Sequence, residues 1–265
     1  MQALEQSFDL DQFFQQLRRA SQRVLMLDYD GTLAPFHINP AEARPYPGVT
    51  ERIDAIMDDP RTHVIVVTGR WIRDLLPLLE MRQLPEIWGS HGREQRRASG
   101  EYEVAQLDET ALKGLVEADA WTPQIERMGG RCERKPGSFA IHWRALSPEQ
   151  IIEIKNLVHE NWMDAGIHRQ LEWHYFDGGI ELRAPGRHKG MVVDTLLAAT
   201  SPDAAAAYLG DDLTDEDAFK AMKGRGISVL VRPQPRPTAA DCWIRPPEEL
   251  LEFLETWRRH SGVPS

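Results

Sequence analysis

The stretch VLMLDYDGTLAPF, residues 24–36, decides the fold, because a short apolar run passes directly into two carboxylates and a glycine. The apolar residues 24–27 are typical of a strand that is buried on both faces of a sheet. Asp28 and Asp30 follow at once, although two neighbouring carboxylates repel each other and each prefers water. The stretch therefore indicates that a cation lies between the two aspartates, or that a site uses their charge.

The same pattern of an apolar strand followed by polar residues recurs along the chain. HVIVVTGR, residues 63–70, ends in a threonine, a glycine and an arginine, and AYLGDD, residues 207–212, ends in a glycine and two aspartates. We expect the second of these strands over residues 206–210, although the alanines before it favour a helix. Helical segments at residues 49–59 and 189–200 separate the strands. This alternation predicts βαβ units and a parallel sheet.

The middle of the chain has a different pattern. RCERKPGSFAIHWR, residues 131–144, contains two strand-like runs around a Pro-Gly pair that suits a type II turn. LEWHYFD and GIELRAP, residues 171–177 and 179–185, form a second such pair, and residues 147–165 between the pairs are predicted to be a helix. This pattern is typical of a small α+β module inserted into an α/β chain. The predicted domains are a core, residues 1–107 and 185–265, and an inserted cap, residues 108–184.

Three shorter segments give local predictions. The basic run GREQRRASG, residues 92–100, is predicted to be a solvated loop rather than a binding patch. Thr214, with Asp217 three residues later, has the spacing of a capping box and predicts the start of a helix. GISVLV, residues 226–231, is predicted to be the last strand, before a terminal helix.

Composition and charge exclude several classes of function. The chain has 265 residues, of which 42% are hydrophobic and 27% charged, and its net charge of −10 argues against recognition of nucleic acid through a basic surface. No apolar run approaches the roughly 20 residues of a membrane span, and the N-terminal residues lack the pattern of a secretory signal. The two cysteines provide neither a disulfide framework nor a zinc site. We therefore expect a cytoplasmic protein without nucleic-acid or membrane partners. We also expect a monomer, although composition does not determine oligomeric state.

Reactive groups are concentrated after the predicted strands, where ligands of an open parallel sheet bind. Clustered carboxylates without cysteine or histidine suit a hard divalent cation, and Mg²⁺ commonly takes one or two carboxylates together with substrate phosphate and water. We therefore expect Mg²⁺ as the cofactor. Asp211 is the expected direct ligand, with Asp212 and Asp215 in support, directly or through water. The groups predicted to share this edge are Asp28, Asp30, Thr68, Gly69, Arg70, Lys189, Gly210, Asp211, Asp212 and Asp215.

Phosphoryl transfer would use these groups together. A carboxylate can attack phosphorus, and Asp28, at the end of a strand, is the expected nucleophile. Asp30 would protonate the leaving oxygen and then deprotonate water. Thr68 and Lys189 would bind the phosphoryl oxygens, and Gly31 would bring backbone N–H groups close to them. For Arg70, the sequence leaves open whether the side chain contacts the phosphate or the cap. The other candidates for substrate contact are Gly69 and Asp212.

The ordered motifs resemble those of the haloacid dehalogenase-like phosphohydrolases. The four signatures of that class match, in order, DYDGTL, VVTGR, Lys189 and GDDLTDED. The resemblance is more specific to the trehalose-6-phosphate phosphatases in three segments, LDYDGTLAPF, GSHG and a Glu-x-Lys hairpin. It covers residues 22–257. The resemblance implies a Rossmann-like core with a parallel sheet and an inserted α+β cap of the C2 type. It also implies Mg²⁺-dependent hydrolysis of trehalose 6-phosphate through an aspartyl-phosphate.

The resemblance also implies roles for individual residues. It assigns the nucleophile to Asp28 and the acid/base to Asp30. It assigns the metal site to the carboxylates of Asp28, Asp211 and Asp215 with the backbone carbonyl of Asp30. In the cap it implies that Glu133 and Lys135 on one hairpin, and Glu181 on another, bind the sugar. His142 and Arg144 are further candidates for substrate contact.

Strand geometry agrees with the implied sugar site. Glu133 and Lys135 are two residues apart and share one face of a strand. In GIELRAP, Glu181 and Arg183 are expected to face out, opposite the apolar side chains that alternate with them. Taken alone, such residues would more often form an ordinary solvated face of an antiparallel sheet.

Three alternative functions remain open from the sequence. The first keeps the mechanism and changes the substrate to another sugar phosphate or a glycosyl-glycerate phosphate. The second is a phosphomutase, which would release no inorganic phosphate. The third is a non-catalytic sensor of sugar phosphates, and the intact nucleophile and acid/base carboxylates argue against it, because a binding protein needs neither.

Overall fold

The computed structural model describes residues 1–4, 9–164, 171–176 and 178–262. The chain divides into two compact units. The core unit consists of Met1–Glu103 and His188–Ser265, and the inserted unit consists of Val104–Arg187. Among the helices of the described residues, none combines the length and the apolar character that crossing a bilayer requires.

The described residues form thirteen strands and nine helices. The strands are β1 (Gln2–Ala3), β2 (Arg23–Leu27), β3 (Thr62–Val67), β4 (Glu86–Gly89), β5 (Glu94–Arg96), β6 (Tyr102–Val104), β7 (Arg131–Lys135), β8 (Ser138–His142), β9 (Glu172–Phe176), β10 (Gly179–Arg183), β11 (Ala205–Gly210), β12 (Ile227–Val231) and β13 (Cys242–Ile244). The helices are α1 (Leu10–Arg19), α2 (Val49–Met57), α3 (Ile72–Leu75), α4 (Glu109–Asp119), α5 (Thr122–Arg127), α6 (Pro148–Asp164), α7 (Lys189–Ala198), α8 (Glu216–Met222) and α9 (Glu248–Ser261).

The core sheet has the order β1-β13-β12-β11-β2-β3-β4-β5-β6. The strands from β13 to β4 run parallel, whereas β1 and β5 pair antiparallel with their neighbours. Strand β2 lies between β11 and β3, so the residues that follow these three strands emerge side by side at one edge. The order therefore places Asp28, Thr68 and Asp211 at the same edge of the sheet.

Strand β2 is apolar throughout because both faces of the sheet are covered. Leu25 and Leu27 belong to one buried cluster, which includes side chains of α1, α2 and α9. Val24 and Met26 belong to a second cluster, which includes side chains of α7 and α8. All four side chains are at most 1% exposed, and burial of each contributes about 2 kcal/mol. This two-sided burial confirms the prediction of an α/β fold with a parallel sheet.

The inserted unit contains a four-stranded antiparallel sheet in the order β7-β8-β10-β9. Its apolar face packs against α4, α5 and α6 in a separate buried cluster. The sequence predicted both hairpins and α6 but missed α4 and α5. A signal for α4 was present, because Asp108 caps the helix by accepting a hydrogen bond of 2.7 Å from the N–H of Ala111. Residues 165 and 177, at the ends of two predicted segments, lie outside the described residues.

Three local predictions were wrong, the first of them in part. The run GREQRRASG is not a solvated loop over its first part, because β5 pairs with β4 and Glu94 is fully buried, whereas residues 97–100 are an exposed turn. The capping box before α8 is formed by Asp212 and Asp215 rather than by Thr214 and Asp217, because a 3₁₀ turn, Leu213–Asp215, precedes the helix. Strand β12 is not the last, because β13 extends the sheet beyond it. Each error concerns backbone pairing or the exact residue at which a turn begins, which side-chain type specifies only weakly.

The strand at β11 was predicted correctly against local propensity. Three of its residues are alanines, which favour helices. The strand pairs on one side with β2 and on the other with β12, and its residues are buried. Tertiary pairing therefore overrides the intrinsic preference of alanine at this position.

Candidate active site

Lys189 is the centre of the cluster at the carboxyl edge of the core sheet. It begins α7, and its ammonium nitrogen Nζ lies 2.7 Å from Asp28 Oδ1 and 2.8 Å from Asp215 Oδ1. All three side chains are almost fully buried. The fold therefore brings a lysine into contact with a carboxylate 161 positions away in the chain.

Asp215 is held by several donors besides Lys189. The hydroxyl of Tyr208 donates to Asp215 Oδ1 over 2.6 Å, and the backbone N–H groups of Asp211 and Asp212 donate to Oδ2 over 3.1 and 3.0 Å. A carboxylate offers about four lone-pair sites, so these bonds with Lys189 engage all of them. Asp215 therefore fixes the orientation of Lys189 and of the turn after β11.

Tyr208 was missed by the sequence analysis. It lies within the apolar strand β11 and is fully buried, so its pattern is that of a core residue. Its hydroxyl reaches Asp215 because the turn after the strand folds back over the sheet edge. Burial raises the pKa of this phenol well above its usual value, and the nearby Asp215 carboxylate raises it further. Tyr208 therefore remains a hydrogen-bond donor to Asp215.

The cluster holds more negative than positive charge in a buried place. Burial raises the pKa of Asp28 to about 7, although Lys189 opposes this shift. Burial and the neighbouring carboxylates of Asp28 and Asp215 raise the pKa of Asp211 well above its usual range. Burial lowers the pKa of Lys189, but the two carboxylates outweigh burial and raise it overall. The cluster therefore favours an additional cation.

The donor set fits a hard metal ion. Carboxylate oxygens of Asp28, Asp211 and Asp215 lie within 4.8 Å of one another. Asp211 Oδ1 is buried and has no hydrogen-bond partner among the described residues. Gly31 leaves room for this carboxylate, because a Cβ at position 31 would lie 2.1 Å from Asp211 Oδ2. All donors are oxygen, as Mg²⁺ prefers.

Asp30 and Arg70 form a bidentate ion pair, which the sequence did not predict. Arg70 donates from Nε to Asp30 Oδ2 over 2.7 Å and from NH2 to Asp30 Oδ1 over 2.6 Å. A further guanidinium N–H donates to the carbonyl of Pro40, and the guanidinium carbon lies 5.3 Å from the centroid of the Tyr29 ring. Such paired bonds fix the plane of a carboxylate. Arg70 therefore orients Asp30.

Thr68, Gly69 and Asp212 complete the predicted set on the core unit. Thr68 follows β3 and is fully buried, and its hydroxyl oxygen accepts from the N–H of Arg70 over 3.1 Å. Gly69 lies between them against the ring of His91. Asp212 begins the turn after β11, and its carbonyl accepts from Arg236 over 2.8 Å.

In the inserted unit, the predicted sugar-binding residues share one face of the sheet. In the strand register, Ala140 pairs with Glu133 on one side and with Glu181 on the other. Lys135 Nζ lies 2.5 Å from Glu181 Oε1, and His142 Nε2 lies 2.7 Å from Glu133 Oε2. Burial raises the pKa of Glu133, but His142 and Lys135 outweigh burial, and the net effect lowers it to about 2.

Glu181 lies opposite the apolar layer, as predicted, but it does not face solvent. Its side chain is 1% exposed and accepts from Ser138 Oγ over 2.8 Å and from Arg183 Nε over 2.6 Å. Alternation along a strand predicts the face of a side chain but not whether other groups cover it. Arg144, the remaining predicted residue, is exposed and lies beside Gly178, after the end of β8.

The fold is shared with a class of solved proteins, the haloacid dehalogenase-like hydrolases. A solved hydrolase of this class from Bacteroides thetaiotaomicron superposes with a TM-score of 0.63 at 16% identity, over 88% of this chain and 98% of that chain. The C-terminal domain of trehalose-6-phosphate phosphatase from C. albicans superposes with a TM-score of 0.81 at 22% identity, over 99% of both chains. Both likenesses concern the fold.

The sequence identifies the family. The model of the trehalose-phosphatase family matches residues 26–242, and the chain therefore belongs to that family. Trehalose-phosphate phosphatase B of Arabidopsis thaliana is 27% identical over 91% of this chain and 68% of its own length. Trehalose-phosphate phosphatase of Mycobacterium avium is 32% identical over 87% of this chain, which spans 61% of that relative. These names confirm, at the level of the family, the prediction of a phosphoric monoester hydrolase.

Proposed function

We propose that the protein is a Mg²⁺-dependent phosphatase that hydrolyses trehalose 6-phosphate to trehalose and phosphate. The observation that carries the proposal is the buried contact of Lys189 with Asp28, beside an Asp211 oxygen without a partner among the described residues. A nucleophile, a cation for the phosphoryl oxygens and a potential metal ligand are thus within reach of one another. Membership of the trehalose-phosphatase family supports the substrate.

The proposed reaction has two displacements at phosphorus. A carboxylate oxygen of Asp28 attacks phosphorus, the bond from phosphorus to the sugar oxygen breaks, and Asp30 gives its proton to that oxygen. Asp30 then removes a proton from water, which attacks the aspartyl-phosphate and releases phosphate and free Asp28. Lys189 and Thr68 donate hydrogen bonds to the phosphoryl oxygens as they gain charge. The paired bonds from Arg70 hold Asp30 as the carboxylate that takes the proton from water, and one of them is released when Asp30 carries the proton that it gives to the sugar oxygen.

The proposed metal site consists of Asp28, the backbone carbonyl of Asp30, and Asp211, with Asp215 in support. When bound, Mg²⁺ offsets the charge of the carboxylates and of the phosphoryl oxygens. The four hydrogen bonds that Asp215 accepts favour an orienting role for this residue over direct ligation.

The proposed sugar site consists of Glu133, Lys135 and Glu181, with Arg144 nearby in sequence to β8. Carboxylates and an ammonium group at fixed strand positions can exchange hydrogen bonds with sugar hydroxyls in a defined geometry. Bonds to His142 and Arg183 hold the two glutamates in single orientations. Contacts fixed before binding reduce the entropy lost when the sugar is ordered.

Release of inorganic phosphate tests the proposal directly. We expect the purified protein to release phosphate from trehalose 6-phosphate in the presence of Mg²⁺, and to lose at least about 100-fold of this rate after chelation with EDTA, because charge neutralisation dominates phosphoryl transfer. Excess Mg²⁺ should restore the rate. An unchanged rate in EDTA would contradict the proposed metal dependence, and conversion of the substrate without phosphate release would indicate a phosphomutase.

Substitutions in the inserted unit test substrate recognition. We expect Glu133→Gln to lower kcat/KM for trehalose 6-phosphate by about 30-fold, since one charged hydrogen bond contributes about 2 kcal/mol, and to change the hydrolysis of p-nitrophenyl phosphate by less than about twofold. Glu181→Gln should act in the same direction. Glu153→Gln, on the exposed side of α6, is the matched control and should leave the hydrolysis of both substrates unchanged.

Equal losses on both substrates would show that these glutamates support folding rather than recognition. A panel of sugar phosphates with the wild-type protein completes the test. Comparable turnover of glucose 6-phosphate, sucrose 6-phosphate, a glycosyl-glycerate phosphate and trehalose 6-phosphate would replace the specific substrate with a broader class.

A further inference from the structure

The turn Ser90–Gly92 follows β4 in an unusual backbone conformation. Ser90 has a φ of 47° and His91 a φ of 55°, so two successive residues other than glycine adopt the left-handed region. Residues with a Cβ rarely adopt this region, and such conformations persist only where surrounding contacts determine them. Among the described residues, only Ala145 is a further non-glycine residue with positive φ. Contacts with the surrounding residues therefore hold this turn in its conformation.

The backbone of the turn contacts both residues that flank Gly69. The N–H of His91 donates to the carbonyl of Thr68 over 3.0 Å, and the N–H of Ser90 donates to the carbonyl of Arg70 over 2.8 Å. The imidazole lies against Gly69 itself, where a Cβ would lie 2.5 Å from Nε2. The turn thus fixes the loop of residues 68–70 by two hydrogen bonds and one close packing contact.

The other side of the turn packs against the start of α7. A Cβ on Gly92 would lie 2.7 Å from Cγ2 of Val192. Val192 is three residues after Lys189 in the same helix, so the two lie on one side of α7. The turn Ser90–Gly92 therefore spans the space between the loop that carries Thr68 and the helix that carries Lys189.

Glu94 holds the turn in its strained form. Its side chain is fully buried and accepts from Ser90 Oγ over 2.6 Å and from the hydroxyl of Tyr102 over 2.6 Å. The N–H of Ile72, at the start of α3, donates to the same carboxylate over 3.3 Å. Buried polar contacts from three parts of the chain thus fix the conformation, which local sequence disfavours.

We propose that His91 is a positioning residue for the phosphatase reaction, because it sets the distance between Thr68 and Lys189, the two donors assigned to the phosphoryl oxygens. The inference rests on the proposed function. It assigns His91 no contact with substrate. The imidazole packs against Gly69 in a strained turn and keeps Thr68 and Lys189 where both can bind one phosphoryl group. A displacement of 1 Å in such a site can cost about 100-fold in rate.

Kinetics of a double-mutant cycle test the inference. We expect His91→Ala to lower kcat about 30-fold or more with p-nitrophenyl phosphate and with trehalose 6-phosphate alike, because positioning acts on the phosphoryl group that both share. His91→Asn, which tolerates the left-handed region, should recover part of the loss. If His91 acts through Thr68, adding His91→Ala to Thr68→Ala should cost at most about twofold further.

His63→Ala is the matched control, because His63 is a histidine of the same unit that pairs with Glu86 at the opposite end of β3. It should leave kcat within about twofold of wild type. The inference would be overturned if the losses in kcat caused by His91→Ala and Thr68→Ala multiply in the double variant. It would also be overturned if His91→Ala lowers the melting temperature but leaves kcat unchanged. An active wild type with a fully active His91→Ala variant would also overturn it while leaving the proposed function intact.

Binding of inorganic phosphate gives a readout that does not need turnover. Phosphate should raise the melting temperature of the wild type, and His91→Ala should need about tenfold more phosphate for the same shift. The same requirement in both proteins would overturn the inference. A wild type that neither hydrolyses phosphate esters nor binds phosphate would overturn the proposed function as well.

Discussion

Asp28→Asn is expected to reduce turnover of trehalose 6-phosphate by at least about 10⁴-fold, because the substitution removes the attacking charge and keeps the shape of the side chain. Asparagine can still accept the hydrogen bond of 2.7 Å that Lys189 donates to Asp28 Oδ1. The donors of Lys189 and Thr68 remain in place for the phosphoryl group. Substrate binding should therefore persist while chemistry stops.

The measurement combines phosphate release with calorimetric binding of the substrate to the inactive variant. Asp58→Asn is the matched control, because Asp58 is a half-exposed aspartate on the same unit, paired with Arg82. It should leave kcat unchanged within about twofold. Phosphate release by Asp28→Asn at more than about a thousandth of the wild-type rate would contradict the assignment of the nucleophile.

Lys189→Met is expected to affect both catalysis and stability. The substitution conserves the length of the side chain but removes the cation between Asp28 and Asp215, so kcat should fall about 10³-fold as one phosphoryl donor is lost. Two buried carboxylates would lose their partner, and loss of one partner of a buried ion pair costs about 3–5 kcal/mol. The free energy of unfolding should decrease by about 3 kcal/mol, since part of the cost is relieved when a carboxylate takes up a proton.

Urea unfolding and steady-state kinetics measure these two effects separately. Lys220→Met is the control, because Lys220 is 66% exposed and pairs with Asp217 on the same unit. Its effect on stability should stay below about 0.5 kcal/mol, since exposed ion pairs contribute little. A Lys189→Met variant as active as the control would remove Lys189 from the proposed mechanism, whatever its stability.

Much of the core site could be predicted because its residues are attached to regular elements. Each of Asp28, Thr68 and Asp211 comes directly after an apolar strand, and neighbouring parallel strands end at one edge. The structure brings Asp28, Lys189, Asp211 and Asp215 together as this rule requires. Their catalytic roles remain the proposals tested above.

The contacts that orient these residues could not be predicted in the same way. The pairing of Asp30 with Arg70 joins side chains 40 positions apart, and neither residue type at its position specifies the other. Tyr208 has the pattern of a core residue until its hydroxyl is found 2.6 Å from Asp215. The sequence GSHG does not predict the positive φ angle of His91, because tertiary contacts determine this backbone conformation.

The sequence by itself determined the α/β class, the inserted antiparallel sheet, the family and the set of residues at the sheet edge, because hydrophobic periodicity and the order of motifs are local properties of the chain. The tertiary structure alone decided which of these side chains touch, which glutamates are buried and which backbone turns are strained. These properties depend on distances between segments far apart in sequence. Packing of the whole unit sets such distances, and no window of residues contains them.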